Sequence, residues 1–291
     1  HIASDGWSTG ILAKEFGIYY ESYIKGELTD LAPLEVQYSD YAIWQKDYLK
    51  GDVLENKLQY WVDNLQNIVP LELPTDHKRP PVQSTRGRIY NFEIDKSTYE
   101  DLLDLSKRSG GTLFITLLSA YKVLLYKYTG EPNICVGTPI ANRGQLEISE
   151  LIGFFVNTLP LHSFVEGEKN FEDFLRSEKD HILSAYEYQD VPFEKIVERL
   201  VRNRDQSRTS FFQTLFSLQN YETTDIISLD QDDFSVYQYE ETKARFDLSF
   251  LVDEKKDGLS VAVTYCVDLY EESSIARMCE HFKNLLTNIL S

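Results

Sequence analysis

From Trp7 onward the apolar side chains recur every three or four positions, at Trp7, Ile11, Leu12, Phe16, Tyr19 and Tyr23. This is the spacing of an amphipathic helix, and Gly26 supplies its C-terminal stop. A second helical region covers about Tyr38 to Leu65, with Trp44, Tyr48 and Trp61 as large apolar faces and Gly51 as a break. The pattern then lapses. Val69 to Gly87 holds four of the nine prolines and has neither helical nor strand period. It reads as a linker or a long surface crossing that divides the chain into two unequal parts.

Beyond it, RIYNFEI (88–94) reads as a strand. Helices follow over about Ser97 to Lys107 and Thr112 to Tyr128, the latter with Leu113, Leu117, Tyr121, Leu124, Leu125 and Tyr128 on one stripe. NICVGTPI and FFVNTLPLHSFV are β-rich runs that read as strands. Helices over about 171–187 and 193–202 come next, Pro192 starting the second from its first turn. FFQTLFSLQ (211–219) is a further strand. Two alternating runs around a charged turn ending in Asp257-Gly258 predict a hairpin, and a last helix runs from about Glu271 to Leu290. Strands alternating with helices predict an α/β layered fold.

Composition narrows the function. A chain of 291 residues with 42% hydrophobic content can bury a sizeable core. The net charge of -18 repels polyanions, which argues against nucleic acid or an anionic membrane as partner. Cys135, Cys266 and Cys279 are odd in number, lack metal-ligand spacing and fall in apolar stretches, so they read as reduced, buried small hydrophobes. No apolar run approaches the roughly 20 residues of a membrane span, and a reducing cytoplasm is the expected location. The arginines 199, 202, 204 and 208 form one basic segment in this acidic chain, read as a solvated, internally paired face or a docking patch.

The candidate chemistry begins at HIASDGWS. A histidine four residues ahead of an Asp-Gly pair at a helix start brings together an imidazole of suitable pKa, a carboxylate and free helix N–H groups. Two readings stay open from spacing alone: His1 as a general base, or Asp5 as a plain helix cap behind a terminal histidine. Further motifs follow in order: YSDYAIW (38–44), GTPIANR (137–143), LIGFFVNTL (151–159), YQDVPFE (188–194) and RDQSR (204–208). Together they resemble the condensation domains of nonribosomal peptide synthetases. HIASDGWS matches the family's HHxxxDG motif from the second histidine onward.

The resemblance implies an α/β, chloramphenicol-acetyltransferase-like two-lobe fold of mixed sheets flanked by helices. On that reading the chain is the later part of a domain whose N-terminal lobe is largely missing: 1–80 ends that lobe and includes the linker, and 81–291 forms the C-terminal lobe. The implied reaction is amide-bond formation between donor acyl or peptidyl and acceptor aminoacyl thioesters, both carried on 4'-phosphopantetheine of peptidyl carrier proteins upstream and downstream. The partners are those carriers and adjoining synthetase domains. No metal, and no cofactor bound by the domain itself, is implied, and a fragment of this extent is expected to be inactive alone.

His1 matches the functionally important histidine, as a base or as a group orienting the amine. Gly6 is a catalytic candidate through its backbone N–H, or a glycine kept for a tight turn. Asp5 is implied to be structural and paired with Arg143 across the lobes; Asn157 lies near the channel, which Trp7 and Ser8 line. Gln189, Asp190 and Arg208 are expected to be scaffold. LIGFFVNTLPLH departs from many relatives by ending in His162 where they carry arginine. The alternatives are a coenzyme-A-dependent acyltransferase of the same fold and a truncated, non-catalytic carrier-docking module.

Overall fold

The computed structural model describes residues 2–29, 31–202, 205–219 and 242–291. They fall into two compact units, each described by itself. The first comprises the chain up to Gln59 together with Ile140–Asn157; the second takes Tyr60–Pro139, the stretch from Thr158 to residue 219, and residues 242–291. These units do not coincide with a division at residue 80.

In the first unit, helix α1 (Gly6–Lys25) starts on the side chain of Asp5, which accepts from the Ser8 N–H, and ends at Gly26 with φ +68. A left-handed residue is needed there to turn the chain back onto the last carbonyls, and glycine adopts it without strain. The stripe read from the sequence is mostly outward: α1 buries Ser8, Ile11, Gly17 and Ser22, while Leu12, Phe16, Tyr19 and Tyr23 are exposed. Helix α2 (Tyr38–Tyr48) places Tyr41 in a small core with Ile148, Leu151 and Phe155, packed by Val36. Helix α3 (Gly51–Leu65) begins at Gly51, φ +55, where the sequence pattern breaks.

The second unit is a mixed sheet with helices on it. Strands β1 (Arg86–Asp95), β2 (Asn133–Ile140), β3 (Asn157–Phe164), β4 (Thr214–Gln219), β5 (Thr242–Lys243), β6 (Leu248–Lys255) and β7 (Gly258–Cys266) lie in the order β3-β2-β4-β6-β7-β1-β5. Pairs β2/β4 and β4/β6 are parallel, while β6/β7, β7/β1 and β1/β5 are antiparallel. The two-residue β5 carries no sequence signal. Helices α4 (Lys96–Arg108), α5 (Leu113–Thr129), α6 (Phe171–Glu187), α7 (Phe193–Leu200) and α8 (Glu272–Leu290) complete it.

Helix α5 is buried nearly all round; its Tyr121 ring stands 4.6 Å from Phe250, and Phe250 lies 5.8 Å from Phe282 of α8. That aromatic stack joins α5 and α8 to the sheet. The hairpin β6–β7 turns as expected: Gly258 sits at φ +132, and a Cβ there would lie 2.2 Å from the Ile94 carbonyl of the neighbouring strand.

Three expectations change. The proline-rich stretch is a crossing and not a linker: Leu71 and Leu73 are buried, and the Leu71 N–H donates to Gln213 Oε1 at 2.7 Å. Arg79 pairs with buried Asp247, and Asp76 accepts from the Glu271 N–H and Ser274 Oγ at the start of α8. Pro192 is the N-cap of α7 and not a first-turn residue. The strand read from residue 211 begins at Thr214, because Phe211 takes φ +68, and the ring of Phe212 fills the space where Gly137 lacks a side chain.

The three cysteines are free and buried. Among the described residues no single helix is long and apolar enough to cross a membrane.

Candidate functional site

His1 lies outside the described residues, so the site is built from Asp5 onward. Asp5 holds an extended backbone as the N-cap of α1, which aims its carboxylate at the free amides of the first helical turn. Oδ1 accepts from the Ser8 N–H at 2.9 Å and from Ser8 Oγ at 2.7 Å. Oδ2 accepts from the Phe155 N–H at 3.0 Å. Arg143 Nη2 stands 3.2 Å from Oδ1, with both side chains only 2% exposed. The expected Asp5–Arg143 contact therefore forms, but within one compact unit and not across two.

Burial works to raise the Asp5 pKa. The Ser8 and Phe155 amides, the Ser8 hydroxyl and the Arg143 charge outweigh it, so the carboxyl is held below its ordinary value. Arg143 also reaches backbone: Nη1 donates to the carbonyls of Ile148 at 2.8 Å and Leu151 at 2.7 Å. Its guanidinium lies 4.0 Å from the Phe155 ring centroid. A planar group with five donors and a polarisable face suits this position in a way lysine could not.

Four of the sequence motifs meet here. Tyr38 Oη donates to the Phe154 carbonyl at 2.9 Å, and its ring packs edge-on against Phe155 at 5.1 Å. Tyr41 stands 4.6 Å from the same ring. The Trp7 indole N–H donates to the Ser149 carbonyl at 2.9 Å. The stretches around 5–8, 38–44, 142–143 and 148–155 thus form one scaffold behind the Asp-Gly turn.

Individual residues fall less evenly. Ser8 is fully buried. Trp7 is 38% exposed and tied to residue 149. Gly6 is exposed, a Cβ there would meet nothing within 4 Å, and its φ is an ordinary one. The tight-turn reason for this glycine is therefore removed, leaving the backbone N–H at the first helical position, which has no acceptor inside the helix. Asn157 is the half-buried first residue of β3.

The remaining motifs lie in the second unit. Arg208 pairs with Glu72 and Asp205, and Tyr188 stacks on Tyr60 at 4.1 Å and accepts from the Trp61 indole. His162 is pushed down to about 4 by burial and then by the Lys122 charge. Of the basic segment, Arg204 lies outside the described residues. Among the described residues no group of His, Cys, Asp and Glu is arranged to hold a metal ion.

Sequence reasoning missed Gly153. Its amide and carbonyl both meet Ser8 Oγ, at 3.1 and 2.8 Å, and a Cβ would lie 2.3 Å from the Tyr38 ring. The signal was present as the glycine inside LIGFF.

The whole chain, residues 1–291, matches the family model described as "Condensation domain". The chain belongs to the condensation-domain family. It is 40% identical over 291 residues to gramicidin S synthase 2 of Aneurinibacillus migulanus, and 40% identical over 292 residues to tyrocidine synthase 3 of Brevibacillus parabrevis. Each match covers 100% of this chain but only 6% of the first protein and 4% of the second, so the chain spans a small part of the length of these relatives. Among solved structures, the X-domain from teicoplanin biosynthesis matches with TM-score 0.87 at 22% identity, covering 99% of this chain and 67% of that one. The condensation domain from the Monacolin K polyketide synthase MokA matches with TM-score 0.81 at 20% identity, with coverages of 99% and 67%. These likenesses place the mixed α/β fold among condensation-domain structures.

Proposed function

We propose that this condensation domain forms amide bonds between two thioesters held on the 4'-phosphopantetheine arms of carrier proteins within a synthetase of the cytoplasm. The α-amine of the acceptor aminoacyl thioester attacks the donor carbonyl; the amine proton is lost and the donor carrier's thiolate leaves. The observation that carries this reading is the match of the entire chain to the family, together with the buried Asp5–Ser8–Arg143 scaffold beside the histidine motif.

Tethering supplies both reactants at high effective concentration, so the protein has mainly to align them. His1 accepts the amine proton or holds the amine and the charged intermediate by hydrogen bonding. On this reading the Gly6 N–H, at the positive end of α1, donates to the developing oxyanion. Asp5 and Arg143 hold the turn and take no part in proton transfer.

The test incubates the complete domain with two loaded carrier proteins and follows the carrier-bound amide product, comparing wild type with His1→Ala. Product from the wild type and a loss of at least a hundredfold in the variant is the expected result. Equal turnover with free aminoacyl coenzyme A would overturn the carrier-bound reading in favour of a coenzyme-A-dependent acyltransferase. Carrier binding without any product would overturn it in favour of a docking module.

A further inference from the structure

The geometry points to Ser8 as a positioning residue: its hydroxyl ties the Asp5–Gly6 turn to the backbone at Gly153 and thereby holds in register the turn that follows His1. This rests on the amide-forming reading above. Four polar atoms surround Ser8 Oγ. Asp5 Oδ1 at 2.7 Å and the Gly153 carbonyl at 2.8 Å are acceptors, while Arg143 Nη2 at 2.8 Å and the Gly153 N–H at 3.1 Å donate to it. A hydroxyl carries one proton and two lone pairs. Both lone pairs are used, and the single proton faces two acceptors, so the group is held from every side.

The contacts also span the chain. Ser8 is 145 residues from Gly153 and 135 from Arg143, yet it lies in the first turn of the helix that Asp5 caps. The neighbouring hydroxyl serves a local end: Thr9 Oγ1 donates back to the Asp5 carbonyl, at 3.1 Å. Gly153 can approach because it has no side chain, and the Tyr38 ring occupies the space where one would be. Deleting the Ser8 hydroxyl leaves the Asp5–Arg143 pair in place but cuts both of its bonds to the 153 backbone. The turn can then shift by a fraction of an ångström, and misplacement on that scale is expensive in a reaction whose rate depends on alignment.

The experiment compares wild type, Ser8→Ala, Ser8→Thr and Thr9→Val in the complete domain, with carrier-bound substrates. Ser8→Ala is expected to lower kcat roughly tenfold to a hundredfold with KM for the acceptor carrier unchanged, and Thr9→Val to leave both as they are. The acid limb of the kcat profile should move to higher pH in Ser8→Ala alone, because Asp5 loses a donor to its ionised form. The charged group facing that carboxylate is Arg143.

Should Ser8→Ala fail to fold, Ser8→Thr decides: it keeps the hydroxyl and should retain kcat within a few-fold. A threonine variant as impaired as a poorly folded one, an alanine variant with unchanged kcat, or equal losses in Ser8→Ala and Thr9→Val would each overturn the inference. Amide hydrogen exchange at Gly153 and Phe155 separates it from the functional reading. Faster exchange in Ser8→Ala is expected even if the wild type makes no amide, and unchanged exchange counts against the tie itself.

Discussion

Removing Lys122 tests how a buried ion pair works in the second unit. Lys122 of α5 and Glu178 of α6 are each 1% exposed, with Nζ 2.6 Å from Oε2, and Nζ also donates to Ser163 of β3. Burial acts to raise the Glu178 pKa. The Lys122 charge, together with hydrogen bonds from His181, Lys122 and Ser163, more than reverses this and brings it from 4.5 down to about 2. A shift of that size corresponds to about 3 kcal/mol, within the ~3–5 kcal/mol expected when one partner of a buried pair is removed. Because the folded pKa is depressed, this contribution is complete above the unfolded value near pH 4.5 and is lost as pH falls toward about 2.

Lys122→Met should therefore destabilise by about 3–5 kcal/mol at pH 7, since a bare carboxylate is left in the core. The loss should shrink at pH 4, where Glu178 without its lysine takes up a proton. Lys122→Met combined with Glu178→Leu should return to within about 1 kcal/mol of wild type. Urea unfolding followed by tryptophan fluorescence reads this directly, because Trp61, 1% exposed, lines the same cavity of about 20 Å³ as Lys122. A single variant within about 1 kcal/mol of wild type at pH 7, or a double variant as unstable as the single one, would refute the reasoning.

Two further outcomes are expected. Gly137→Ala should lose about 1–3 kcal/mol in urea melts, since its Cβ would stand 2.2 Å from the buried Phe212 ring, whereas Gly144→Ala, with nothing within 4 Å, should change little. The thiols of Cys135 and Cys279 are pushed up to about 12 by burial, and Cys266 is raised too. At pH 8 a disulfide reagent should therefore modify none of the three quickly in the native chain and all three after unfolding.

The order of elements was legible because helices and strands leave periodic traces: α1, α4, α5, α6 and α8 start and stop within about two residues of where their patterns do. What escaped was decided by distant partners. Lys122 sits among the apolar residues of α5, and nothing local shows that its counter-charge lies 56 residues on. The proline-rich stretch read equally as a linker or a crossing because its anchors, Gln213, Asp247 and the start of α8, lie far along the chain. Phe211 takes a left-handed conformation that no residue type there announces. At the site, Asp5 and Arg143 were readable by family resemblance. The enclosure of Ser8 was not legible, because its position beside Trp7 says nothing of the four atoms around its hydroxyl, three of which come from residues 143 and 153.

The scaffold around Asp5 also sets a timetable. Asp5 is complete only when the amide of Phe155, 150 residues downstream, has been made. At translation speeds of about 5–20 residues per second, the start of α1 waits about 8–30 s for its partners. During that interval the contacts of residues 140–157 are not yet available to α1, whose Leu12, Phe16 and Tyr19 are exposed in this structure. The nascent helix thus presents an apolar surface to the ribosome exit and its chaperones for longer than a locally closed helical hairpin would. Helix α1 is therefore exposed to aggregation until residues 140–157 have left the tunnel.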